Sequence, residues 1–165
     1  MTESDNDVNI SRFREIAIRG REYRNQYDLE YLGETIELYI KPVVDLDFLP
    51  IAAILEEKFD MDTDEAKEVI EEEREAGGDE SIDAAEFDEE FVRLMAEVAV
   101  LGIDRTQGDV EGESEETLRG IFGISDEEEN IGLIGGASLM VAEQVLEITS
   151  DADKAEKFRR DGGGE

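Results

Sequence analysis

Acidic side chains recur along almost the whole of this chain: 47 Asp and Glu among 165 residues, against 16 Lys and Arg, for a net charge of -31. No other feature narrows its folding as much. A charge excess of that size usually keeps a chain unfolded or gathers into an acidic tail. Here the acids are interleaved with periodic apolar residues, and hydrophobic residues make up 39% of the chain, enough for a core. That is the pattern of one folded domain with an acidic surface. Self-repulsion opposes compactness in dilute buffer. At 1 M salt the screening length falls to about 3 Å, and exposed charges hardly sense one another. Five of the basic residues are Lys and eleven are Arg, and the pI is near 4.1. Few lysines, many acids and a low pI resemble the composition of haloarchaeal proteins, whose cytoplasm is itself molar in salt. A salt-adapted, cytoplasmic, acidic protein is the expectation.

The chain contains no Cys and no His. Disulfides, zinc thiolates, Cys nucleophiles and the Ser-His-Asp triad are therefore excluded, and most transition-metal sites lose their usual ligands. The opening residues Met1 to Asp5 lack an apolar signal core, which points away from secretion. The longest uncharged run, Asn130 to Ala142, has thirteen residues; a membrane span needs about 20. No membrane partner is expected.

Residues 1–8 are polar and read as a loose, disordered lead. From Asn9, Ile10, Phe13, Ile16, Ala17 and Tyr23 fall roughly on one helical face, although the alternation of Ile16 with Ile18 also permits a strand. Five arginines at 12, 14, 19, 21 and 24 make this the one basic stretch. Phe13 and Tyr23 have the chemistry to stack on bases, but the acidic remainder would repel phosphate and no nucleic-acid module is present. Docking on an acidic surface, of this chain or of a partner, is the better reading. No nucleic-acid partner is expected.

Tyr27, Leu29 and Tyr31 alternate with polar residues, as do Ile36, Leu38 and Ile40, on either side of Gly33-Glu34. Gly at the first centre of a two-residue loop fits a type II′ turn, so the spacing predicts a β-hairpin over 27–40. A lone hairpin is marginal in water. One face needs a cover, from a helix or from another subunit, so a homo-oligomer stays open. Beyond Pro42, Asp45 or Asp47 can cap a helix through Phe48, Ile51, Ile54, Leu55 and Phe59, with Pro50 in its first turn. Asp62 with Glu65 forms a capping-box start for a helix to about Ala76, which Gly77-Gly78 stops. Asp83 with Glu86 repeats that signal before Phe87, Phe91, Leu94, Met95, Val98 and Leu101, and Gly102 offers a left-handed end. Ser114 can cap a short helix holding Leu118, Ile121 and Phe122, and an apolar segment runs from Ile131 to Ile148. Residues 151–165 read as a polar, flexible tail. The expected fold is α+β and predominantly α-helical, a single domain over 9–150 with the hairpin in its N-terminal third.

Chemistry-bearing constellations are few. Asp60, Asp62, Asp64, Glu68 and Glu71 match positions 1, 3, 5, 9 and 12 of an EF-hand loop, but Glu65 replaces the required Gly. With so many acids such matches come cheaply, and a capped helix start explains the residues better. Glu143, set among Val141, Ala142 and Val145, is the least unsuitable catalytic carboxylate; Gln144 and Glu147 make a plain helix face the better reading. Ser114 and Ser138 have no base. Gly132, Gly135 and Gly136 form no phosphate loop, and Gly132-x-x-x-Gly136 reads as close internal packing. No enzyme activity, metal or cofactor is expected.

Tyr31-Leu-Gly-Glu-Thr-Ile-Glu-Leu-Tyr-Ile-Lys-Pro42, then Phe48-Leu-Pro-Ile-Ala-Ala-Ile-Leu55, then acidic helices, resembles tail assembly chaperones of long-tailed viruses, in particular those of haloarchaeal viruses and proviruses. The likeness spans about residues 10–150 and rests on size, order of elements and local phrasing. It implies a small, mostly helical factor that binds the tape-measure protein during virion assembly, with no catalysis. Family members are often made in two forms by ribosomal frameshifting, and a Gly162-Gly-Gly ending suits a slippery run of G. Residues Tyr31, Ile36 and Leu38 of the hairpin and Phe91, Leu94 and Val98 of the long amphipathic helix are the expected protein-binding set. The alternative is a haloarchaeal adaptor or regulatory protein with another partner.

Overall fold

The computed structural model describes residues 2–77, 87–127 and 129–149, with side chains from Asn9 onward. Its order is α1 (Thr2–Arg21), β1 (Asn25–Tyr31), β2 (Glu34–Ile40), α2 (Asp45–Phe59), α3 (Thr63–Gly77), α4 (Glu89–Leu101), a 3-10 turn (Gly108–Val110), α5 (Glu115–Ile121) and a last helix, α6, over 137–149. The fold is α+β and predominantly helical, with one antiparallel hairpin, as the hydrophobic periodicity requires. The proposed tail at 151–165 and the Asp83–Glu86 cap lie outside the described residues.

Two expectations about the first helix change. The backbone of 2–8, read as a loose lead, is helical, and the ambiguous stretch at 12–24 is helix up to Arg21. The spacing of Ile10, Phe13 and Ala17 outweighs the short alternation at 16–18, and extending a formed helix fixes only one residue per added bond. Arg24 ends it: its guanidinium donates to the carbonyls of Arg21 and Tyr23, at 2.8 and 2.9 Å.

The hairpin pairs Leu29 with Ile36 and Tyr27 with Leu38. Its loop is Leu32-Gly33, both with positive φ (53° and 81°), one residue earlier than the expected Gly33-Glu34. Two left-handed residues make the turn type I′, whose twist matches that of the strands. The shift keeps Tyr27, Leu29, Tyr31, Ile36, Leu38 and Ile40 on one face, because side-chain parity is unchanged. The outer edge of β2 is covered by the segment after α4. Lys41 N–H donates to Gly102 O and Asp104 N–H to Tyr39 O, both at 2.8 Å, and Glu37 N–H donates to Asp109 Oδ2 at 2.7 Å. Open donors on that edge are thereby satisfied without a third strand.

The core lies between the hairpin and the helices. Leu29, Leu38 and Ile40 meet Phe48, Ile51 and Leu55 of α2, Ile70 of α3, Met95 and Val98 of α4, and Leu139, Val145 and Leu146 of α6. Each such side chain contributes roughly 1.5–3 kcal/mol by leaving water. Phe91 stands edge-on to Phe59 (5.5 Å, 84°) and stacks on Phe87 (5.4 Å, 11°). The cap of α4 is Asp88, whose side chain accepts from Glu90 N–H at 3.1 Å. Gly102 is not left-handed, as its role as a helix stop would need; its φ is -97°. It is glycine because a Cβ there would stand 2.4 Å from the Val145 methyls, so α4 and α6 could not approach as they do. Pro50 sits in the second turn of α2, not the first, and the N-cap Val44 supplies no side-chain bond. The missing Pro50 N–H falls on the exposed side of the helix, where water can serve the Leu46 carbonyl. Gly132 and Gly136 are loop residues with φ of 80° and 73°, so they turn the chain into α6 and do not pack helices together.

Candidate functional site

The six residues expected to meet a partner separate into two groups. Tyr31 and Ile36 are half-buried. Leu38, Phe91, Leu94 and Val98 belong to the core, Val98 with no exposed surface at all. Those four are not available to a partner in this fold. The reason is geometric: α4 has α2 and α5 against it and α6 across Gly102, so its apolar stripe is used internally. Amphipathicity marks a buried face but does not say whether the cover comes from within the chain.

Among the described residues, large apolar side chains reach solvent in three other places. The first is at the hairpin tip, where Leu32 is 75% exposed and Ile131 and Ile134 are also open. Tyr31 ties the two segments together, its Oη accepting from Ile134 N–H at 2.9 Å. The second is the outer side of α2, with Leu46 80% exposed and Leu49 beside it. The third is α1, where Ile10, Phe13 and Ile16 are all exposed. The second place had a sequence signal that periodicity toward the core passed over. Leu46, Leu49 and Ala53 repeat at helical spacing on the side opposite Phe48, Ile51 and Leu55, so α2 is apolar on two faces.

Ion pairs fix the elements around these surfaces. Asp104, 4% exposed, accepts from Arg24 Nε at 2.8 Å, Thr106 Oγ1 at 2.7 Å and Gln107 Nε2 at 3.0 Å. Burial by itself would raise its pKa, but these donors outweigh burial and hold the carboxyl well below the usual carboxylate range. Arg24 therefore leaves the basic cluster to anchor the start of β1, while Arg12, Arg14, Arg19 and Arg21 stay exposed. Arg119 forks onto Glu97 at 2.7 and 2.9 Å and joins α5 to α4.

Glu143, weighed above as a catalytic carboxylate or a plain helix face, is not a solvated face. It is 2% exposed and takes both guanidinium arms of Arg74 at 2.9 and 2.7 Å. That hydrogen bonding raises the Arg74 pKa, against the opposing effect of burial. The pair lines a cavity of about 230 Å³ with Tyr27, Asp28 and Met140. Both oxygens of the buried carboxyl group are engaged, so its hydrogen-bonding needs are met by a half-exposed guanidinium. Its partner lies 69 residues away, which no local pattern shows.

The capping-box reading of the EF-hand-like run is borne out. Glu65 N–H donates to Asp62 Oδ1 at 2.9 Å, and Asp62 N–H to Glu65 Oε1 at 3.0 Å. Asp60 is the left-handed C-cap of α2. Among the described residues no helix is long and apolar enough to cross a membrane. The chain matches no family model, no curated protein and no solved structure.

Proposed function

We propose that this chain is a non-enzymatic protein-binding factor, and that its client is the tape-measure protein of a tailed virus assembling in a haloarchaeal cytoplasm. One observation carries the reading: Leu32 in the hairpin turn, and Ile131 and Ile134 on the segment that Tyr31 ties to the hairpin, all expose apolar surface. A turn residue with positive φ is seldom a leucine, and an exposed leucine there offers a rigid apolar contact without using the core. A long amphipathic client helix can lay its apolar face on such a patch, and the surrounding acids keep the complex soluble. The resemblance to tail assembly chaperones supports the identity of the client. Salt adaptation belongs to the same proposal: dialysis from about 3 M to about 0.1 M salt lengthens the screening distance and should melt the helices cooperatively. Co-expression with a neighbouring tape-measure gene at high salt should bring both proteins down together. Leu32→Asp and Ile134→Asp should lose the client while circular dichroism stays unchanged. If no tape-measure protein co-purifies, the client reading fails and an adaptor with another partner takes its place.

A further inference from the structure

Helices α1 and α2 carry matching stripes of opposite charge. On α1 the order is Ile10, Phe13, Ala17 and then Arg21; on α2 it is Leu46, Leu49, Ala53 and then Glu57, at the same i, i+3, i+7, i+11 spacing. Both stripes are exposed along their length, Phe13 at 69%. Residues 9–21 of α1 hold four arginines against Glu15, a net +3, whereas α2 holds Asp45, Asp47, Glu56 and Glu57 against Lys58, a net -3. In a chain of net charge -31, this is a basic half-helix; the first turns of α1 carry Glu3, Asp5 and Asp7.

Among the described residues, neither stripe is covered within the chain. Arg24 binds the Arg21 and Tyr23 carbonyls and, through Nε, the buried Asp104. The C-terminal end of α1 is thus fixed to the body, and the helix stands with its apolar side in solvent.

We infer that a second copy of this chain covers it: α1 of one protomer packs antiparallel on the outer face of α2 of the other, and reciprocally. Antiparallel alignment places Phe13 against Ala53 and Ala17 against Leu49, so large side chains meet small ones on both helices. Arg21 then lies level with Asp45, and Arg14 about one turn from Glu56. The negative end of the α1 dipole falls beside the positive end of α2. Reciprocal use of one patch is the arrangement of a two-fold dimer. Molar salt screens distant charges, but pairs in contact at a partly dry interface are screened far less, and the apolar stripes supply the attraction. The inference rests on reading exposed apolar surface as docking surface, but it uses none of the hairpin-tip residues.

Absence of cysteine makes a clean test possible. Ala17→Cys and Leu49→Cys chains, mixed and oxidised in molar potassium chloride, should give a covalent dimer that neither forms alone. Ala17→Cys mixed with Ala53→Cys should give much less. Light scattering of the natural protein should read twice 18.5 kDa, and Phe13→Asp or Leu46→Asp should halve it without altering the circular dichroism. Leu32→Asp should keep the dimer whether or not it keeps the client, which separates this inference from the client reading. A monomeric natural protein, a stronger 17–53 than 17–49 cross-link, or a dimer that survives both Asp variants would overturn it.

Discussion

In α4, seven of thirteen residues are buried, whereas α2 buries Phe48, Ile51 and Leu55 and leaves Leu46 and Leu49 in water. Both helices are rich in apolar residues, and a reading by periodicity would assign the longer stripe of α4 to a partner. The structure assigns it to the core. α4 is enclosed, by α2 and α5 along its length and by α6 at Gly102, so none of its apolar side chains is left exposed. Among the described residues, nothing covers Leu46 and Leu49 on the outer side of α2. An apolar surplus is thus recognised by a helix that is apolar on both faces, not by one that is strongly amphipathic.

Truncation tests this contrast most strongly. Leu94→Ala in α4 should cost about 2–5 kcal/mol, the usual range for a cavity in a packed core. Leu46→Ala in α2 should stay within about 0.5 kcal/mol, measured at protein concentrations where the chain is monomeric. Denaturant unfolding in high salt compares the two, and equal losses would mean that the outer face of α2 is covered within the protomer.

Next in size is the ion pair between α3 and α6. Arg74→Ala leaves Glu143 buried without its cation and should cost about 3 kcal/mol. That is the lower end of the range, because 36% of the Arg74 side chain is exposed and water screens part of the attraction. Replacing both residues by leucine should recover most of the loss. A double variant as weak as the single one would show that the pair holds α3 in place by more than mutual neutralisation.

A smaller effect is expected where α4 meets α6. Gly102→Ala drives a methyl into Val145 and should cost about 1–3 kcal/mol, as overpacking does. Val145→Ala in the same chain should relieve the clash. No recovery would mean that glycine is needed for its backbone and not for space.

The smallest effect concerns acid. Asp104 has a folded pKa below its unfolded value, so its stabilising contribution is complete above the unfolded value, about 3.9. It is lost as pH falls through and below that point. Asp104→Asn should lower stability at neutral pH and flatten the decline below about pH 4, followed by circular dichroism at fixed salt. A decline as steep as the natural protein's would assign acid lability to other carboxylates.

Much of the fold was legible because its signals are local. The hairpin follows from residues 27–40, and the starts of α3 and α5 follow from Asp62, Glu65 and Ser114, whose side chains cap as their spacing suggests. The turn position was missed by one residue because a leucine in the left-handed region is an improbable choice, favoured here by the twist of the strands. The candidate surfaces were less legible. Leu38, Phe91, Leu94 and Val98 resemble docking residues until their neighbours are known, and the arginines at 12–24 look like one cluster until Asp104 claims Arg24 across 80 residues.

By itself the sequence determined the acidic character, the absence of thiol and imidazole chemistry, the helical majority and the hairpin, since each depends on composition or on residues a few positions apart. Only the tertiary structure decided which apolar stripes are core and which are surface, which arginines are anchors and why Gly102 is a glycine. Those outcomes depend on distances between segments that lie far apart in the chain, where covering one face leaves another open.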